Sequence, residues 1–203
     1  MEILLHAFAE QLVQTSIWEW AAVVFAIAYV LLAIKESLWC WPAAFISTAI
    51  YSVLFFDVNL FMQSVLNIYY LLMAIYGWYQ WKTGEHRDGD KKIERWPVRK
   101  HLAFIVFIVA GILVSGYLLD NYTSQSLAYL DSSVTWFAVF ATFLLARKIL
   151  ENWIYWIVID SVSVYLYLQK EFLVTGLLFA AYTIMAVFGW LQWKKHLDKY
   201  STP

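Results

Sequence analysis

The sequence contains one cysteine, Cys40, so it can form no disulfide within the chain and build no cysteine-based metal cluster. Charge is nearly as scarce: 14% of residues are Asp, Glu, Lys or Arg, where a soluble domain carries about a quarter. No separate basic domain stands out, and nucleic acid is not expected as a partner. The four histidines, His6, His86, His101 and His196, avoid the interiors of the apolar runs. An intramembrane metal site or a histidine proton relay is therefore not expected. The last apolar run lacks a lysine for a retinal Schiff base, and no serine is paired with an intramembrane base for proteolysis. The chain does not read as an enzyme, and it implies no cofactor.

What is present is apolar and aromatic. Of 203 residues, 63% are hydrophobic and 20% are Phe, Trp or Tyr. A membrane span needs roughly 20 mostly apolar residues, and seven runs qualify: about 17–34, 38–56, 60–81, 101–119, 133–149, 153–169 and 173–193. Gaps 1–2, 5–6 and 6–7 are short enough to make their neighbours antiparallel hairpins. The expected fold is an all-α membrane protein, a single integral membrane domain over residues 1–203, with the lipid bilayer as its surroundings. No Lys or Arg precedes Lys35, so the positive region of a signal peptide is missing. "MEILLHAFAEQL" instead has the spacing of a short interfacial helix. "TGEHRDGD", between runs 3 and 4, lacks calcium-loop spacing and reads as a solvated connector.

Basic residues near span ends set orientation. With the N-terminus outside, 13 of the 14 Lys and Arg residues fall on the inner side, and only Lys170 falls outside. An even number of spans would spoil that separation. The expected topology is N-terminus periplasmic and C-terminus cytoplasmic.

The chain also repeats itself. "IYGWYQWK" (75–82) returns as "VFGWLQWK" (187–194) at an offset of 112, and Tyr70 and Met73 return as Tyr182 and Met185. "ESLWCW" (36–41) is echoed by "ENWIYW" (151–156) at an offset of 115. Runs 1–3 (about 17–81) and 5–7 (about 133–193) are thus expected to be two copies of one three-helix unit, joined by the linker and helix 4 (about 82–119). One intervening span makes the copies parallel, a plan in which transporters place the substrate between the repeats near the midplane. The GWxQWK residues themselves are more simply interfacial anchors.

Inside the runs, one carboxylate is conspicuous. Asp160 lies seven residues into run 6, where a charge costs about 2.5–3.5 kcal/mol and normally faces the bundle interior or a wet cavity. Trp153, Trp156, Ser163 and Tyr167 share its face, within an arc of roughly 80° at helical spacing. Two indoles, a carboxylate, a hydroxyl and a phenol suit a flat cationic ring. The plainer alternative, an interhelical hydrogen bond averaging about 0.6 kcal/mol, does not offset that cost. Gln63, Asn67 and Tyr70 form a second polar face on run 3, suited to hydroxyls or a ring edge, though interhelical packing accounts for them equally well. Thr183 and Tyr182 on run 7, and Trp41, Ser47 and Thr48 on run 2, read first as packing. "SIWE" (16–19) has the capping-box form, and Glu36 and Glu151 are expected to pair with Lys35 and Lys148.

"ESLWCWP", "YGWYQW" and "ENWIYWIVIDSVSVYLY", with the 3 + 1 + 3 plan, resemble the PnuC vitamin transporters over essentially the whole chain. The resemblance implies a fold like that of the SWEET sugar transporters. It also implies uptake of a cationic B-vitamin or precursor through the bacterial inner membrane by facilitated diffusion, with phosphorylation trapping the solute inside. Members carry nicotinamide riboside, and a PnuT branch carries thiamine. Asp160 stands where nicotinamide riboside carriers often have asparagine, and Asn67 where glutamine is common; with "ESLWCWP", the acid tilts the expectation toward thiamine. The substrate-binding set is then Gln63, Asn67, Tyr70, Trp153, Trp156, Asp160, Ser163, Tyr167 and Thr183, with no metal. A membrane enzyme and a non-transporting partner subunit are the competing classes, and assembly into a homo-oligomer is left open.

Overall fold

The computed structural model describes residues 16–57, 61–83, 92–123, 127–169 and 173–201. The N-terminal interfacial helix and most of the "TGEHRDGD" connector lie outside the described residues. Seven helices follow in order among those described: α1 (Ile17–Ile34), α2 (Cys40–Asp57), α3 (Phe61–Lys82), α4 (Val98–Tyr122), α5 (Ala128–Ala146), α6 (Asn152–Gln169) and α7 (Leu173–Ser201). By length and composition alone, four are long and apolar enough to cross a membrane: α1, α4, α5 and the Thr175–Lys199 part of α7. Among the rest, α6 holds Asp160 and α3 holds Gln63 and Asn67. Polar groups within a helix dilute the apolar signal that marks a span.

Boundaries moved where the sequence had no stop signal. α4 starts at Val98 and α7 runs to Ser201, beyond the apolar runs. α5 begins at Ala128 and ends at Ala146, short of the expected 149. Its end is a Schellman closure: Lys148 takes a left-handed φ of 54°, Lys148 N donates to Leu145 O and Ile149 N to Leu144 O.

The chain divides into two compact units, residues 1–91 and 92–203. In the first, Ser16 caps α1 by accepting from Glu19 N at 3.1 Å, as the capping-box pattern predicts. α1 ends in the same Schellman closure, with Glu36 at φ 55°, Glu36 N on Ala33 O and Ser37 N on Leu32 O. Buried Ser47 donates to Ala22 O at 2.9 Å, tying α2 to α1. α2 packs on α3 through Trp41. Its ring occupies the space a Cβ would take at Gly77, and it meets Trp81 edge-on at 5.3 Å and 87°.

In the second unit the same clamp recurs: Trp153 fills the space beside Gly189 and meets Trp193 edge-on at 5.5 Å and 88°. Trp41, Gly77 and Trp81 match Trp153, Gly189 and Trp193 at a single offset of 112, as do the two closures and the starts of α2 and α6. The hairpins therefore align at 112, not at 115. The "EnnnnW" echo paired Trp41 with Trp156, whereas the backbone and the clamp pair it with Trp153.

α4 belongs to this second unit. Trp136 of α5 sits over Gly111 and donates from Nε1 to Ser115 Oγ at 3.1 Å, and Tyr129 sits over Gly116. Before α4, the segment from Lys92 to Trp96 crosses the α5–α6 turn. Glu94 N donates to Lys148 O, Leu150 N donates to Glu94 O, and Ile93 is buried. Glu151 accepts from Trp96 N at 3.2 Å and lies 3.9 Å from His101 Nε2. It does not pair with Lys148 among the described residues: the hairpin turns the acid toward this crossing segment.

Candidate functional site

Six of the nine residues singled out from the sequence lie in the second unit: Trp153, Trp156, Asp160, Ser163 and Tyr167 on α6, and Thr183 on α7. The buried face of α6 runs through Asn152, Trp153, Ile159, Asp160, Ser163 and Leu166. Asp160 is 4% exposed, and no described residue gives its carboxylate a hydrogen bond or an ion pair. Ser163 is fully buried, and its hydroxyl has no partner.

The ring residues divide by role. Trp153 is held in the Gly189–Trp193 clamp, with its indole N–H buried and unpartnered; Trp41 in the first unit shows the same orphaned N–H. Trp156 is partly buried and packs against the cluster of Ala138, Ala141 and Ile159. Tyr167 stacks on Phe179 of α7 at 5.2 Å and 11°. Thr183 spends its hydroxyl proton on Phe179 O at 2.9 Å, leaving only its lone pairs to a ligand.

In the first unit, Asn67 is buried and already engaged, and Tyr70 lies partly buried beside Tyr69, ring centres 5.6 Å apart. The Gln63 side chain lies outside the described residues. Thr48 donates to Ala44 O, and Ser47 is tied to α1; both serve the packing of their own unit. Among the described residues no group of three or more His, Cys, Asp or Glu could hold a metal ion.

Ser132 of α5 went unnoticed in the sequence. It is 3% exposed with an unpartnered hydroxyl. A serine in an apolar helix is unremarkable as text, because its usual fate is to bond the carbonyl four residues back. Only the folded structure shows that it does not.

The chain is similar to known transporters over most of its length. The sequence profile described as "Nicotinamide mononucleotide transporter" matches residues 16–195. The riboflavin/roseoflavin transporter RibM of Streptomyces davaonensis is 26% identical over 177 residues, covering 85% of this chain and 82% of RibM. The nicotinamide riboside transporter PnuC of Escherichia coli is 22% identical over 173 residues, covering 73% and 72%. A crystal structure of the vitamin B3 transporter PnuC superposes with a TM-score of 0.71 at 22% identity, over 89% of this chain and 82% of that one. The chain is a multi-pass membrane protein of the nicotinamide mononucleotide transporter family, the family of PnuC, and not an enzyme.

Proposed function

We propose that this protein carries a cationic B-vitamin or vitamin precursor across the bacterial inner membrane by facilitated diffusion, with thiamine as the preferred solute. The observation that carries this reading is Asp160: a carboxylate buried on the inner face of α6, without a described partner. Burying an acid with neither donor nor cation is costly, and a ring with a fixed positive charge supplies what is missing. Trp156 and Tyr167 put aromatic faces on the same stripe, and aromatic faces attract desolvated cations by up to about 2 kcal/mol.

Around that centre we place the rest of the expected plan: seven spans arranged 3 + 1 + 3 as parallel repeats in a SWEET-like fold, N-terminus periplasmic and C-terminus cytoplasmic. Gln63, Asn67 and Tyr70 are the further residues we assign to reading the solute's hydroxyls or ring nitrogens. Phosphorylation in the cytoplasm keeps the free solute low and the flux inward. A shared offset of 112 in clamp and closure supports the repeat, and the division of basic residues supports the orientation.

Nicotinamide riboside is the second reading, favoured by the PnuC relatives; it too is a fixed cation. The RibM relative makes riboflavin a necessary control, because it is neutral. The test is calorimetric titration of the purified chain and of Asp160→Asn with thiamine, nicotinamide riboside and riboflavin. Thiamine is expected to bind tightest to the unmodified chain, and the variant to lose at least tenfold for both cations. Equal affinity of chain and variant for thiamine and nicotinamide riboside would reject the cation reading.

A further inference from the structure

Two ring pairs fix how α6 and α7 lie against each other. Trp153 meets Trp193 with ring centres 5.5 Å apart, and Tyr167 stacks on Phe179 at 5.2 Å. On α6, Asp160 stands seven residues from Trp153 and seven from Tyr167; on α7, Ala186 stands seven from Phe179 and seven from Trp193. In an antiparallel pair that spacing sets Asp160 level with Ala186, about 10 Å from either ring pair at 1.5 Å per residue. Direction agrees with level. Seven residues return a helix to within about 20° of its starting direction, so Asp160 shares the α7-facing side marked by Trp153 and Tyr167. Ile159, which meets Ala138 and Ala141 of α5, lies about 100° away. Ala186 shares the α6-facing side of α7 by the same count. Both are closed off, Asp160 at 4% exposure and Ala186 at 2%.

The part of α7 that Asp160 faces therefore offers it no donor. Ala186 presents a methyl group. One turn outward, Thr183 has given its proton to Phe179 O; one turn inward, Gly189 has no side chain, and the Trp153 ring fills its place. The first unit shows the same seam without the acid. Trp41 meets Trp81, and the positions seven residues along from each are Thr48 and Ala74, the latter 2% exposed. Thr48 donates to Ala44 O at 2.8 Å, so its polar group is satisfied within its own helix. Close packing accounts for the alanine in both seams. Only in the second does it leave a buried carboxylate without a partner.

We propose that Ala186 is a specificity-determining residue of α7: by giving Asp160 only a methyl group to face, it keeps the carboxylate unpartnered in the empty protein and thus available to a cationic solute. A donor at 186 would satisfy the acid beforehand, and an arriving cation would gain correspondingly less. This inference rests on the cation-transport reading given above. Its test titrates the full chain, purified in detergent, with thiamine, nicotinamide riboside and riboflavin, and follows thermal melting of the empty protein. Ala186→Asn is expected to weaken both cations about tenfold, the scale of a hydrogen bond to a charged group. In the Asp160→Asn background the same change is expected to cost little more, because it acts through the acid. Ala186→Ser adds a single oxygen and carries the test if the larger side chain prevents folding; it is expected to shift cation binding in the same direction, with melting unchanged or higher. If both variants bind the cations as the unmodified chain does while Asp160→Asn has lost affinity, Ala186 does not control the acid and the cation reading stands. A loss that persists undiminished in the Asp160→Asn background, or lower melting with equal losses for every solute that binds, makes Ala186 a packing residue and overturns the inference. Unchanged cation binding by Asp160→Asn, or no binding of any of the three compounds, overturns both.

Discussion

Two tryptophans three residues apart on α6 looked interchangeable as text, and they are not. Both lie on the Asp160 stripe. Trp153 is 2% exposed and locked against Gly189 and Trp193, whereas Trp156 is only partly buried on the flank of the α5–α6 core. Periodicity reports the face of a helix but not the depth of a ring, and a clamp depends on the partner helix. We expect Trp153→Ala to cost about 3–5 kcal/mol, the usual cost of emptying a large buried aromatic. Trp41→Ala should cost about the same, because its clamp is the counterpart. Trp156→Leu is expected to keep the fold and to weaken solute binding through loss of an aromatic face. Thermal melting and titration of the three variants check this: a Trp156→Leu protein that binds normally would remove that ring from the site. Asp160, by contrast, was legible at once, since a lone acid among apolar residues has few inexpensive explanations. Ser132 was not, because the bond it declines to make leaves no mark in the sequence.

At the level of helices, the apolar runs match the seven described helices, and the errors sit at their ends. Apolarity says where lipid or core lies; helix termination depends on capping. Glu36 and Lys148 carry the left-handed turns without glycine, so the usual C-terminal signal was missing. The crossing segment before α4 was equally hidden, because a single bridge at Glu94 and an acceptor at Glu151 have no periodicity to read. Two predictions follow from contacts of this kind. A methyl group at Gly77 or Gly189 would overlap the Trp41 or Trp153 ring, and such overpacking costs about 1–3 kcal/mol. Gly77→Ala and Gly189→Ala are therefore expected to melt lower by similar amounts, and a neutral result at either would mean that its clamp yields. Glu151→Ala removes the acceptor of Trp96 N–H, at a cost of about 1–3 kcal/mol if the amide stays buried. Faster proteolysis near Lys92 and Arg95, with α5 and α6 still protected, is the expected signature.

For the whole molecule, the sequence held more of the plan than a single match reveals. One offset, 112, relates tryptophan clamps, helix starts and Schellman closures, and a sequence reader who kept that offset through the hairpin would have paired Trp41 with Trp153. The parallel arrangement and the orientation can be tested together. Cys40, the sole cysteine, is buried, so a cysteine placed at an exposed position reports with little background. Thr83 follows α3 and Thr123 follows α4, and both are exposed. With the N-terminus outside, the end of α3 faces the cytoplasm and the end of α4 the periplasm. A membrane-impermeant maleimide should therefore label Thr123→Cys in whole spheroplasts and Thr83→Cys only in inverted vesicles. The reverse pattern would invert the topology, and labelling of both from one side would require a different number of crossings between them. The same vesicles settle coupling. Apart from Asp160 no acid stands among the named site residues, and an acid that neutralises the solute is not free to carry a proton in exchange. Solute counterflow is accordingly expected to continue when the proton and sodium gradients are collapsed, and to stop only when the solute gradient itself is gone.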